Sequence, residues 1–222
     1  MNLKTLTIAA LATGMVIAVE AEDQVTLKID LPKPCFIGTT KDIRTPNLEP
    51  SRNGKDRDPI KVPAGTKLLS KDCKVTSSQA EPLMGEFALV TDGDKEHDLA
   101  AFIELAPNMQ WVQLDLAKEK VIYAACIWHY HGEEVRVYRD VVCQVSNDPD
   151  FIDNVQTVFN NDHDNSSKLG AGKDKEYVED NKGRPFAISG IKGRYLRFYS
   201  RGNTSNEMNH YTEIEVFGKD LP

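Results

Sequence analysis

Three runs in the later part of the chain alternate apolar and polar residues with a period of two. They are "WVQLDL" (Trp111–Leu116), "DVVCQVS" (Asp140–Ser146) and "TEIEVFG" (Thr212–Gly218). Successive strand residues point to opposite faces, so this period specifies strands with one face covered. It assigns Val112, Leu114, Leu116, Val141, Cys143, Val145, Ile214 and Val216 to a core. It leaves Trp111, Gln113, Asp115, Glu213 and Glu215 facing outward. Further strands are predicted at Lys74–Ser77, Val121–Tyr130, Gln156–Asn160, Lys175–Val178 and Gly193–Ser200, and the last one over His210–Gly218. No helical stretch has comparable periodicity. Short strands separated by turn residues predict an all-β sandwich or barrel.

The chain before these strands is different. Residues 31–63 hold six prolines and show no sustained period. Proline removes a ladder donor and restricts its predecessor, so an irregular extension is expected here. The first residues, "MNLKTLTIAALATGMVIAVEAED", carry a basic start, a short apolar run and a Val-Glu-Ala ending, the pattern of a secretory signal peptide. The run is short for a membrane span, which takes about 20 apolar residues. The expected organisation is a signal peptide at 1–21, an extension at 22–67, a β domain at 68–218 and a tail at 219–222. The mature chain would be secreted, periplasmic or on the cell surface, with no membrane insertion.

The net charge of −7 argues against nucleic acid as a partner, because phosphate backbones select a basic face. Four cysteines, at 35, 73, 126 and 143, allow three disulfide pairings. A Cys35–Cys73 bridge, tying the extension to the domain, is favoured. Cys126 and Cys143 lie in apolar runs where free buried thiols are also expected.

Five segments in order carry a resemblance: "VTSS" (Val75–Ser78), "ALVTDGD" (Ala88–Asp94), "WVQLDL", "GRYLRFYS" (Gly193–Ser200) and "YTEIEVFG" (Tyr211–Gly218). Together they resemble the discoidin, or factor V/VIII type C, domains and the related galactose-binding-like carbohydrate-binding modules. The resemblance covers about residues 68–218 and implies a jelly-roll β-sandwich. It also implies a structural calcium. Asp92, Asp94 and Glu213 would supply carboxylate oxygens, and Leu89 and Thr212 backbone carbonyls. Six to eight hard oxygens are what calcium takes, and Gly93 permits the tight loop.

Three polar stretches carry other candidate chemistry. In "WHYHGEE", His129 and His131 are two apart and would share a strand face. In "FNNDHDNSSKLG", Asp162, His163 and Asp164 form a polar connection; they point to different sides by alternation unless the loop curls. In "SRGNTSNEMNHYTE", Arg201, Asn203, Asn206, Asn209 and His210 offer the amides and guanidinium that bind vicinal hydroxyls; Asn is equally a turn former. Trp128 is expected to be a packing residue. A metal hydrolase built on His129 and His131 ranks lowest, because no H-E-x-x-H or G-x-S-x-G motif accompanies them. The favoured reading is an exported, non-catalytic module that binds carbohydrate through rim loops. The second is an adhesion module whose partner is a cell-surface protein.

Overall fold

The runs predicted as Gln110–Leu116 and Val121–Tyr130 form one bent strand. The computed structural model describes residues 23–35, 43–52 and 55–221; the expected signal peptide lies outside them. In chain order the strands are β1 Gln24–Thr26, β2 Lys61–Pro63, β3 Lys67–Leu68 and β4 Lys74–Ser77. A 3₁₀ helix, Phe87–Thr91, comes next. Then follow β5 Ile103–Leu105, β6 Gln110–Trp128, β7 Val142–Ser146, β8 Gln156–Asn160, β9 Arg184–Ser200, β10 Asn209–Tyr211 and β11 Glu213–Asp220. Among the described residues no helix is long and apolar enough to cross a membrane.

The nineteen residues of β6 bend where Ala117 takes φ +64° and the pairing with β9 shifts register between Asp115 and Lys120. Before the bend β6 pairs with β4 and with the end of β9; after it, β6 pairs with β11 and with the start of β9. The main sheet runs β3-β11-β6-β9-β7-β8, with β4 also on β6 and β10 paired to β5. All named pairs are antiparallel. Bulges of this kind let one strand serve two layers.

The inward faces match the alternation. Val112, Leu114, Cys143, Val145, Ile214 and Val216 are fully buried in one cluster with Leu196, Phe198 and Ile127. Trp128 is also fully buried, its Nε1 donating to the Asn181 carbonyl at 3.0 Å. The segment 175–178 is not a strand; Glu176 makes only an isolated bridge with Leu48 of the extension.

Glu213 and Glu215, expected outward, are 1% and 6% exposed. Their face of β11 is covered by the 92–95 loop and the extension. The Gly93 N–H donates to Glu213 Oε2 at 3.1 Å. Lys95 Nζ bridges Glu215 Oε1 at 2.6 Å and the Asp30 carbonyl at 2.9 Å. Leu27, Ile29 and Ile60 of the extension pack with Val62 onto Ala124 and Phe217, and β1–β2 forms a small sheet of its own.

The expected Cys35–Cys73 bridge is not formed; all four thiols are free. Cys126 and Cys143 are fully buried and act as small apolar residues. Burial pushes the Cys73 thiol up to about 12.

Candidate functional site

The strand register places four loops at one end of the sandwich. Gln110 lies opposite Ser200, and Val142 lies opposite both Tyr199 and Asn160. The connections before Gln110 and Val142, and after Asn160 and Ser200, therefore emerge side by side. Backbone hydrogen bonds knit them: Arg201 N–H to the Arg139 carbonyl at 2.9 Å, Arg139 N–H to Gly202 at 3.0 Å, and Asn161 N–H to Val141 at 3.0 Å.

Between these loops lies a polar cleft of about 450 Å³. Arg139 and Arg201 line it, with Asp140, His163, Asp164 and Glu207; Asn108 comes from the turn before β6. No Phe, Trp or Tyr is among its lining residues. Binding here would rest on hydrogen bonds and charge rather than on ring stacking.

Three carboxylates meet at the cleft floor. One oxygen from each of Asp140, Asp162 and Asp164 lies within 4.8 Å of the others. The loop curls, so the alternation argument fails: Ser166 N–H donates to both Asp162 Oδ1 and Asp164 Oδ1 at 3.1 Å. Ser167 N–H holds Asp162 Oδ2 at 2.9 Å, and Ser166 Oγ donates to Asp140 Oδ2 at 2.7 Å. Burial raises the Asp140 pKa, with the neighbouring Asp162 charge adding to it, while Ser166 and Arg201 oppose the rise. Asp162, at 0% exposure, lies beneath the cleft rather than on its surface.

Several residues expected to contact ligand are interior. His129 is 0% exposed; its ring stacks on Tyr138 with centroids 4.2 Å apart, and its Nδ1 lies 3.1 Å from Glu179 Oε2. Burial lowers its pKa to about 3. His131, 1% exposed, bonds the Lys95 carbonyl at 2.9 Å. The two histidines follow the end of β6 and take separate partners. His210 is 3% exposed, held between the Tyr138 hydroxyl at 2.8 Å and Glu104 Oε2 at 3.0 Å. Burial lowers its pKa to about 4, against the opposing effect of its hydrogen bond to Glu104.

Asn209 is fully buried and Asn203 is 1% exposed. Asn203 Oδ1 accepts from Ser205 N–H and Asn206 N–H, and its Nδ2 donates to Asn206 Oδ1 and Met208 O. It shapes the loop. Asn206 is exposed, with its Oδ1 accepting from Met208 N–H at 3.0 Å, and it is not a cleft-lining residue. Of the expected ligand residues, His163, Asp164 and Arg201 therefore share the cleft, and Asp162, Asn203 and Asn209 brace its loops from within.

The 92–94 loop lies apart from this cleft. It follows the 3₁₀ helix that contains Leu89, turns at Gly93 with φ +85°, and meets Glu213, which adjoins Thr212. Asp92 Oδ1 accepts from Asp94 N–H at 2.8 Å. Burial pushes the Glu213 carboxyl up to about 9, reinforced by Glu215 and Asp92. The Thr212 Oγ1 is buried with no hydrogen-bond partner. The Gly93 N–H on Glu213 and the Lys71 ammonium on the Asp92 carbonyl are contacts that hold this loop.

No family model matches the sequence, and no curated protein does. Solved structures do match. One is a family 32 module of a Clostridium perfringens family 89 glycoside hydrolase, solved with GalNAc-β-1,3-galactose: 13% identity, TM-score 0.51, covering 68% of this chain and all of that one. The fold is a galactose-binding-like jelly roll. It is shared with the discoidin domains and family 32 carbohydrate-binding modules. A truncated AlyQ containing such a module and an alginate lyase domain matches at 18% identity and TM-score 0.51, over 71% of this chain and 34% of that one. The C. perfringens family 89 enzyme in complex with 2-acetamido-1,2-dideoxynojirmycin matches at 19% identity and TM-score 0.51, over 69% of this chain and 15% of that one.

Sequence reasoning missed Arg139, Asp140, Asn108 and the extension's share of the cleft. Arg139-Asp140 stood in plain view before a strand. Their role arises only when β7 is laid against β9, where Val142 meets Tyr199, 57 positions along the chain.

Proposed function

We propose that this chain is an exported, non-catalytic glycan-binding module whose ligand lies in the rim cleft. One observation carries the reading: four loops of a jelly roll bring guanidinium, carboxylate, imidazole and amide groups into one concave surface. Carboxylates accept from sugar hydroxyls, and guanidinium and amide groups donate to them. A cleft of about 450 Å³ lies in the range of small-ligand sites. The family 32 module solved with a galactose disaccharide has the same fold, and loops on a rigid sandwich are where such folds vary their binding. The sequence has no paired nucleophile and base, and His129 and His131 are buried apart, which favours binding over hydrolysis.

The test is a glycan array with the mature chain, followed by titration of the best ligand against Arg201→Gln. Arg201 is exposed, and its Asp140 contact is a loose 3.5 Å, so the substitution should change stability by under about 1 kcal/mol. Affinity should fall at least tenfold. Wild-type affinity in that variant would move the site elsewhere.

A calcium ion at the 92–94 loop belongs to the same proposal. Asp92, Asp94 and Glu213 would hold it through carboxylates, with the carbonyls of Leu89 and Thr212. Its contribution would be structural, neutralising the buried Glu213. Calcium at ten times its Kd would then add about 1.4 kcal/mol to stability. Urea unfolding with calcium and with EDTA measures this, and Asp94→Asn should abolish the difference. Equal midpoints in both buffers would remove the ion.

A further inference from the structure

The carboxylates of the cleft outnumber its guanidiniums. Asp140, Asp164, Glu176 and Glu207 line it, with Asp162 beneath, against Arg44, Arg139 and Arg201. Asp140, Asp162 and Asp164 bring one oxygen each within 4.8 Å of the others. Among the described residues only one cation pairs with any of these three: Arg201, whose Nη1 stands 3.5 Å from Asp140 Oδ2. Like charges this close repel unless a cation lies between them. A second observation comes from other chain segments. Glu176 is 5% exposed, and its Oε2 is buried with no hydrogen-bond partner. The Thr45 Oγ1, on the extension, is buried and unpartnered too. Both residues line the same cleft. An orphaned buried carboxylate oxygen carries a desolvation cost that a cation in the cleft would offset. Asp162, Asp164 and Ser166 also repeat the alternate-residue spacing of the first ligands in helix-flanked calcium loops.

We infer that Asp140, Asp162 and Asp164 hold a divalent cation of the calcium class at the cleft floor, a site separate from the 92–94 loop. The site stands on these side chains and not on the glycan-binding reading. Its donors are hard oxygens, the kind that calcium takes at about 2.3–2.6 Å. Oxygens on opposite sides of such an ion stand about 5 Å apart, so the carboxylate spacing admits it with little movement of the loop. The Ser166 and Ser167 N–H groups orient the Asp162 and Asp164 carboxylates. An oxygen that accepts one N–H keeps a second lone pair for the ion. Arg201 is half exposed and its contact with Asp140 is loose, so the cation replaces it there and leaves its guanidinium free in the cleft. Asp164 is exposed, which keeps the ion partly hydrated and makes this the weaker of the two calcium sites. It should fill at about 10⁻⁴–10⁻³ M, as extracellular calcium modules do; the lower calcium that fills the 92–94 loop leaves it largely empty.

Calcium alone is titrated by calorimetry into the mature Asp94→Asn chain, which lacks a carboxylate of the 92–94 loop, with no saccharide present. One ion per chain is expected, and the amide NMR signals of Ser166 and Ser167 should shift as it binds. Adding Asp164→Asn keeps an amide oxygen for the Ser166 N–H, so the loop stays folded, and should weaken binding at least tenfold. Adding Glu207→Gln instead removes an equal charge from the cleft lining outside the cluster, and should weaken binding no more than about threefold. No binding at about 10 mM calcium, well above that range, overturns the site. So do shifts that leave Ser166 and Ser167 unmoved. Equal loss in the two added variants also overturns it, because diffuse charge attraction rather than ligation would then hold the ion. No sugar enters the experiment, so the glycan-binding reading stands or falls separately.

Discussion

Asn209→Ala is expected to lower stability by about 3 kcal/mol and the melting temperature by about 10 °C. Asn209 has no exposed surface, and its side chain fills all of its hydrogen-bond capacity. Oδ1 accepts from the Ser200 hydroxyl and the Gly202 N–H, each at 2.8 Å. Nδ2 donates to the carbonyls of Ala106 at 2.7 Å and Asn108 at 3.0 Å. Alanine would leave the buried Gly202 N–H and the part-buried carbonyls of Ala106 and Asn108 without those partners; an orphaned buried group costs about 1–3 kcal/mol before relaxation, and the part-buried carbonyls add less. The residue joins the turn before β6 to the loop after β9, two of the segments that frame the cleft. Denaturant unfolding reads the loss, and it should far exceed that of Arg201→Gln. If Asn209→Ala kept wild-type stability yet lost glycan affinity, Asn209 would be a contact residue rather than a brace.

This contrast shows what the sequence could and could not reveal about the site. Residue chemistry singled out Arg201 and Asn209 together, as the kinds of group a sugar meets. Only packing separates them: Arg201 projects into the cleft, while Asn209 has its whole side chain engaged behind it. His129 and His131 illustrate the same limit. Their i, i+2 spacing would give a shared face on a continuing strand, but β6 ends at Trp128, and the period-two argument stops there. Asp162 and Asp164 fail in the opposite sense, because the Ser166 N–H draws two alternating residues to one side.

The fold was far more legible, because its main signal is local. Alternation over six or seven residues fixes which side chains face the core, and Val112, Leu114, Ile214 and Val216 did so. It does not say what covers the other face. Glu213 and Glu215 look solvent-facing in sequence, yet Lys95 and the extension bury them from residues more than a hundred positions away. The polar run "AKEK" at 117–120 reads as a turn between two strands, whereas a left-handed Ala117 and a register shift carry β6 through it.

Stability should also follow a bell in pH, set by the buried His129–Glu179 pair. Neither residue exposes more than 1% of its surface. Burial lowers His129 from 6.5 to about 3 and raises Glu179 well above 4.5, with like charge from Asp180 adding to the rise and His131 and Arg57 opposing it. The folded pair therefore keeps one proton across the neutral range, wherever between the two side chains that proton resides. The unfolded pair holds two protons below 4.5, one between 4.5 and 6.5, and none above 6.5. Stability rises with pH wherever the unfolded state holds more protons, and falls where it holds fewer. The pair thus contributes most between those two values and less on either side, by about 1.4 kcal/mol per pH unit. Above pH 6.5 stability should fall as pH rises, for as long as the folded pair keeps its proton. Glu213, raised to about 9, adds descent of the same sign, so the wild-type curve alone does not isolate the pair. Glu179→Gln does: the retained proton disappears, the pair's alkaline descent goes with it, and the acid limb begins at 6.5, where unfolded His129 first takes a proton that the folded ring refuses. Unfolding midpoints from pH 4 to 9 for both proteins measure the difference, and parallel curves would show that the pair does not set the profile.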